Sequence, residues 1–297
     1  MRVATNTVSE DIIRQIQSLS GQQTKLQSQV ASGQRISLPE DDPAAVGRVL
    51  NMQSELRQIT QFGINASSAL DIAQASSSGL QAVKKISDRA GELVTLGTGV
   101  LGPEAMKAYA AEVDQLIEQA VQDANTRLNG NYIFAGTALS APAVAATRVS
   151  GQITVVNYMG DAAQSAIPLS TASSVTPSTT GATNQGLADF INNLIALRNA
   201  LTSGNTAAVS AAQPGLTTSE NVLVSAIADN GGVQTRIEAS KSEQADRMTS
   251  VNQLISSETS ADMPATIVKL TQAQTAYQAA LQSAANIMKL SLLDYIK

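Results

Sequence analysis

The sequence of 297 residues contains no cysteine, no histidine and no tryptophan, and aromatic residues make up only 3% of it. Without thiols there is no disulfide framework. Without His or Cys, a Ser-His-Asp triad, a thiolate nucleophile and His- or thiolate-ligated metal sites are all excluded. Carboxylate, Lys, Ser/Thr and Tyr chemistry remains, and no constellation of such residues has catalytic form. The expectation is a non-enzyme without cofactor or metal.

The scarcity of large rings also bears on the fold. Apolar content comes instead from Ala, Leu, Ile and Val, mixed with many Ser, Thr and Gln. Small residues let helix axes approach closely, so this composition suits long helices packed side by side.

Charge is sparse as well. Charged residues are 14% of the chain and the net charge is −5. That provides no basic face for nucleic acid. No apolar run approaches the ~18 residues of a membrane span. Glu10, Asp11 and Arg14 interrupt the segment Met1 to Leu19, which therefore does not read as a Sec signal peptide. An extracellular location would require another export route.

What the sequence does have is helical periodicity. Ile12, Ile16, Leu19, Leu26 and Val30 recur every three or four positions, with Val8 ahead of them and Gln23 in the slot between Leu19 and Leu26. This is a heptad-like stripe. Gly33 breaks it, and Ser37 to Pro43 reads as a loop. Asp42-Pro43 is a helix start: Asp caps free N–H groups, and proline loses no bond at the first helical position. A long helix follows to about Leu96, a rod of roughly 80 Å at ~1.5 Å per residue. Pro103 starts a further helix, with Met106, Tyr109, Val113, Leu116, Ala120 and Leu128 on its stripe and Asn129-Gly130 at its end.

From Tyr132 to Asn184 the character changes to β-branched residues, Thr, Ser and Pro. This predicts a β-containing insertion, with Thr171–Thr183 as a surface linker. Helix returns near Leu187, and again over Thr206 to Ala228 with Pro214-Gly215 as an interruption. Gly231-Gly232 reads as a break. The last helix carries a heptad through Met263, Ile267, Leu270, Gln274, Tyr277, Leu281, Ala284 and Met288. Such a narrow seam requires a partner helix.

Some signals have plainer readings. Asp41 and Asp42 form a carboxylate pair, but helix initiation accounts for Asp42. Gly97-Thr98-Gly99-Val100-Leu101-Gly102 matches G-x-G-x-x-G yet follows a helix, not a strand, so it reads as a turn. Tyr132 and Phe134 read as buried anchors at the base of the insertion.

Five motifs in order resemble flagellins and their hook–filament junction relatives. Leu26 to Ile36 resembles the N-terminal signature in which an apolar helix ends in Ser-Gly-x-Arg-Ile, here with Arg35. Pro39-Glu40-Asp41-Asp42-Pro43 resembles the junction form. Asn129-Gly130-Asn131-Tyr132-Ile133-Phe134-Ala135-Gly136-Thr137 resembles the Gly-Asn-Tyr-Leu-Phe-Ala-Gly-Thr element of that group. Val156 to Asp161 resembles its Tyr-x-Gly-Asp signature, and Ser291 to Ile296 its Ser-Leu-Leu-Asp-Tyr terminus. Asp88 to Leu93 also resembles the flagellin segment recognised by an innate immune receptor, although it reads equally as a solvated helix turn.

The resemblance implies a mainly α, elongated flagellin-like helical rod with a terminal coiled-coil domain and a β-containing insertion. It divides the chain into an N-terminal arm (1–36), a rod (37–135), an outer tip (136–184), the returning rod (185–257) and a C-terminal arm (258–297). Ile12, Ile16, Leu19, Leu26 and Val30 would meet Ile267, Leu270, Tyr277, Leu281 and Met288 in an assembled tube. The implied partners are copies of the chain itself, neighbouring junction, hook and flagellin subunits, and an export chaperone. The implied location is the extracellular flagellum, reached through a type III channel. A filament flagellin and a flagellin-like surface protein with a polysaccharide-binding tip are the alternatives that the residues leave open.

Overall fold

A computed structural model describes the backbone of residues 2–99 and 102–296 and the side chains of residues 10–99 and 102–286. The described residues are mainly helical with a small β insertion. The helices are α1 (Arg2–Ser32), α2 (Pro43–Gly97), α3 (Pro103–Ala124), α4 (Gly181–Thr202), α5 (Thr206–Thr259) and α6 (Met263–Ile296). The strands are β1 (Arg127–Leu128), β2 (Asn131–Tyr132), β3 (Val144–Val149), β4 (Gln152–Tyr158), β5 (Ile167–Pro168) and β6 (Ser174–Val175). They form three separate antiparallel pairs, β1–β2, β3–β4 and β5–β6.

The chain divides into two compact units, one of Met1–Arg57 with Arg247–Lys297 and one of Gln58–Asp246. In the first, α1 packs along α6. Asp42 caps α2 by accepting from the Ala45 N–H at 3.0 Å, with Pro43 behind it, as the sequence predicts. Asp262 does the same for α6, accepting from the Ala265 N–H at 3.1 Å.

In the second unit, Leu80, Val83, Ile86, Leu93, Val113 and Ile117 share a core with Phe190, Leu194, Leu197 and Leu201 of α4. Phe134, fully buried, fills the space left by Gly79 on α2, where a Cβ would come within 2.8 Å of its ring. A smaller cluster joins Ala66, Ala69 and Ala73 to Ile237, Leu169 and Val175. Alanines on α2 leave room for the larger Ile237 on α5. Ala90 and Leu93 are fully buried and Arg89 pairs with Glu112 of α3 at 2.6 Å, so only part of the Asp88–Leu93 segment is a solvated turn.

Several expected boundaries move, each for a local reason. Helix α3 ends at Ala124, and Leu128 belongs to β1. Asn125 leaves the helix because its side chain is engaged by Val144. Asn129 (φ 51°) and Gly130 (φ 86°) are not a helix end but the two-residue turn of the β1–β2 hairpin. Both sit in the left-handed region that a type I′ turn demands, where Asn-Gly is the favoured pair. Ser150 (φ 52°) and Gly151 (φ 88°) repeat the device between β3 and β4.

The Thr171–Thr183 linker is instead partly built in. Val175, Pro177 and Thr179 are buried at alternate positions, and Thr180 starts α4 by accepting from the Thr183 N–H. Helix α5 runs unbroken through Pro214 and through Gly231-Gly232. Proline removes one backbone donor, but Asn193 of α4 braces that point by donating to the Gly215 carbonyl and to Ser219 Oγ, both at 3.1 Å. Each interior glycine costs about 1 kcal/mol relative to alanine. Burial of Leu223, Ala226 and Ile237 on either side of the pair outweighs that at about 25 cal/mol per Å².

The β3–β4 hairpin is closed on both outer edges by asparagine. Asn125 donates to the Val144 carbonyl and accepts from its N–H, both at 3.0 Å. Asn192 donates to the Val156 carbonyl at 2.8 Å and accepts from its N–H at 3.0 Å. Each side-chain amide thus stands where a third strand would pair. Replacing Asn192 by leucine leaves both Val156 groups unmatched, and is expected to cost about 1–3 kcal/mol, measured as a shift in the urea unfolding midpoint.

Candidate assembly site

The arms come first, because heptad periodicity put them there. Among the described side chains of α1, Ile12, Ile16, Leu19, Gln23, Leu26 and Val30 are half-buried at alternating spacings of four and three, with Gln29 beside them, and α1 packs along α6. On α6 the covered face shares Met263, Leu270, Gln274, Tyr277 and Ala284 with the expected stripe, all half-buried, but not every position. Leu270 and Tyr277 are half-buried, but Ile267 and Leu281 are 48% and 44% exposed. Thr266 and Ala273, each 8% exposed, are the most covered positions. The seam therefore runs Thr266, Leu270, Ala273, Tyr277, Ala280, Ala284. Small side chains on α6 admit the larger Leu and Ile of α1 and turn Ile267 and Leu281 to the flank. Met288 lies outside the described side chains.

At the base of the arms the chain turns twice, and the two turns are tied together. Gln34 and Ser260 form an antiparallel bridge, flanked by Arg35 N–H to the Thr259 carbonyl (2.7 Å) and Ala261 N–H to the Gly33 carbonyl (2.9 Å). Gly33 (φ 69°) makes the reversal possible. Arg35 donates to Asp42 at 3.1 Å and to the Glu258 carbonyl at 2.9 Å. Arg48 grips the Glu258 carboxylate with two bonds of 2.9 Å. Asp41 pairs with Lys25 of α1 at 2.7 Å and accepts the Ser37 and Leu38 N–H groups.

These contacts hold three carboxylates below their usual range. Lys25 and the two backbone donors do so for Asp41. The Ala45 N–H and then Arg35 do so for Asp42, and Arg48 does so for Glu258. A depressed folded value stabilises the ionised, tied state above the unfolded value and loses that stabilisation as pH falls through the folded one. The stability these ties supply is therefore expected to be full above about pH 4.5, the ordinary carboxylate range, and to decline as pH falls from there toward the depressed folded values, where the ties themselves protonate. The urea unfolding midpoint should therefore fall as pH drops below about 4.5, while the Ser37 and Leu38 amide shifts of the folded chain stay flat down to pH 2.5; shifts that titrate in the ordinary carboxylate range would refute it.

A second cluster closes the base of the β insertion. Asn131 is exposed on the first hairpin, while Tyr132 is buried under the Arg127 guanidinium, 4.2 Å from its ring centre. Asp161 accepts from the Thr137 N–H (2.7 Å), the Thr137 hydroxyl (2.5 Å) and the Ala163 N–H (3.2 Å). The Thr137 contacts lower its pKa. Tyr158 donates to the Asp161 carbonyl at 2.8 Å and Asn184 donates to the Tyr158 oxygen at 3.4 Å. Gly136 (φ 69°) lies directly against Asp161, and a Cβ on Gly160 would stand 2.6 Å from the Ala135 carbonyl oxygen. The Phe-Ala-Gly-Thr and Tyr-x-Gly-Asp motifs are thus two halves of one clasp.

Residues 3–139 match the family model described as the bacterial flagellin N-terminal helical region. Aligned over its whole length, the chain is 25% identical to the whole of flagellar hook-associated protein 3 of Escherichia coli K12. The likeness to hook-associated protein 3 thus runs the whole length of the chain, and the likeness to flagellins covers its N-terminal part. The protein of that name from Salmonella typhimurium is 28% identical over 46% of this chain and 44% of its own. The fold is similar to that of a flagellar hook-associated protein from Vibrio parahaemolyticus, with a TM-score of 0.66 and 17% identity over 74% of this chain and all of the other.

In this chain Arg35, Asp41 and Asp42 meet at the arm base, and Tyr132, Phe134 and Gly136 meet in or beside the clasp. Pro43 starts a helix, and the Asn131 side chain makes no hydrogen bond to the described residues. Sequence reasoning missed Lys25, Arg48 and Glu258, and it missed Thr266 and Ala273 on the arm. Glu258 gives no local signal, since its partners lie more than two hundred positions away.

Proposed function

We infer that this chain is a structural subunit of the bacterial flagellum that joins hook to filament by self-assembly, and that it has no enzymatic activity. The alignment with hook-associated protein 3 along the whole chain carries this reading. The arm pair explains how assembly would work. Two helices leave Ile13, Ile267, Val268 and Leu281 between 44% and 55% exposed, more apolar surface than an isolated pair can cover. Neighbouring copies, and hook and flagellin subunits at either end, would cover it. Residues 1–36 and 258–297 would act as the arms, with Ile12–Val30 and Ile267–Met288 at the interface. Before assembly an export chaperone would shield α6, and the product would stand outside the cell. No described helix is long and apolar enough to cross a membrane.

Epitope insertion at the exposed Ser150-Gly151 turn tests the reading. The label is expected as a single band at the hook end of purified flagella, and the deletion strain is expected to shed flagellin as monomers. Label along the whole filament would make the chain a flagellin instead.

A further inference from the structure

We propose that a cavity in the Gln58–Asp246 unit is a binding site for a short, uncharged saccharide. The cavity holds about 360 Å³ and is lined by α2, by the β1–β2 turn with the segment after it, and by the residues around β5 and β6. That volume falls within the range of small-molecule sites.

Its polar lining is unspent. Ser68, Asp71, Asn129, Asn131, Ser165 and Ser178 all face it. None of these six side chains makes a hydrogen bond to the described residues. Several other polar side chains of this unit are committed: Asn125 and Asn192 to strand edges, Asp161 to Thr137, Asn184 to Thr179 and Tyr158. The hydroxyl of Ser178 is screened from solvent and still has no partner in the protein. A buried hydroxyl left unmatched destabilises a fold; Ser76, Asp123 and Gln244 also carry an unmatched buried atom, but Ser178 is the one of the four that lines the cavity, where an external group can meet it.

The chemistry of the lining selects the ligand. Amides and hydroxyls offer donors and acceptors together, and the Asp71 carboxylate accepts from two adjacent hydroxyls. No Lys or Arg is among the lining residues and Asp71 is their one ionisable acid, so phosphate, sulfate and acidic sugars are disfavoured. Ile72, Leu128 and Ile167 provide an apolar wall for the C–H face of a sugar ring. The positive-φ turn at Asn129-Gly130 sets the position of both asparagines in advance, which lowers the ordering cost of binding.

Saturation-transfer NMR on the full chain provides the test, with galactose, N-acetylglucosamine, lactose, maltose and chitobiose as probes and N-acetylneuraminic acid as the anionic control. Transfer to the ring C–H protons of at least one neutral sugar is expected. It should fall at least tenfold in Asp71→Leu and in Ser68→Arg. Both positions are exposed on α2, so the melting temperature should not move. Ser178→Ala should weaken binding several-fold without loss of stability. The proposal is overturned if no neutral sugar shows transfer, if transfer survives both α2 substitutions, or if the anionic sugar binds equally well.

Discussion

Replacing Arg198 by leucine is expected to destabilise the Gln58–Asp246 unit by about 3–5 kcal/mol, the usual cost of breaking a buried charge pair. That corresponds to a fall in melting temperature of roughly 10 °C. Arg198 is 5% exposed on α4. Its guanidinium donates to Asp114 of α3 at 2.8 Å, to the Ile153 carbonyl of β4 at 2.9 Å, and to Asn199 at 3.0 and 3.2 Å. One side chain therefore stitches two helices and a strand. Its removal strands the Asp114 carboxylate and orphans the Ile153 carbonyl at once. The double variant Arg198→Leu/Asp114→Leu should recover part of the loss, because no uncompensated charge remains. Strict additivity of the two single changes would show that the pair carries no coupling.

Ala273→Arg is expected to abolish junction function, reducing filament-bearing cells at least tenfold by electron microscopy and collapsing the soft-agar halo to that of the deletion strain. Ala273 is 8% exposed and shares a groove with Leu19 and Leu26 of α1. A guanidinium there would wedge the arms apart, with Lys25 and Lys269 alongside to repel it. The substitution is remote in sequence from the Gln58–Asp246 unit, whose melting should be unchanged. Near-normal motility would show that the arm seam lies elsewhere on α6.

The same position shows where the sequence is readable and where it is not. On α1 the seam residues are Ile, Leu and Val against a polar background, so periodicity alone located them. On α6 the larger apolar residues stand at Ile267 and Leu281, and the covered positions are Thr266, Ala273 and Ala280, which carry little hydrophobic signal. The pattern found Leu270, Gln274, Tyr277 and Ala284 but put Ile267 and Leu281 where Thr266, Ala273 and Ala280 are covered. Helix starts at Pro43 and Pro103 were legible because capping chemistry is local. Asn129-Gly130 was legible as punctuation but ambiguous in kind, since the same dipeptide closes helices and hairpins. Continuity of α5 through Gly231-Gly232 was not legible, because apolar burial on both sides decides it. The clasp was visible as two motifs, but nothing in either announces that Asp161 will accept from Thr137.

The asparagine amides on the outer edges of the β3–β4 hairpin have a consequence for a molecule proposed to assemble with copies of itself. An open ribbon of Val and Thr is a template on which identical chains can stack without limit. With Asn125 and Asn192 occupying the outward-facing Val144 and Val156 groups, the ribbon offers no vacant ladder at those rungs. Crowding would then favour helix-to-helix packing over fibril formation, and the insertion could diverge in sequence without seeding an aggregate.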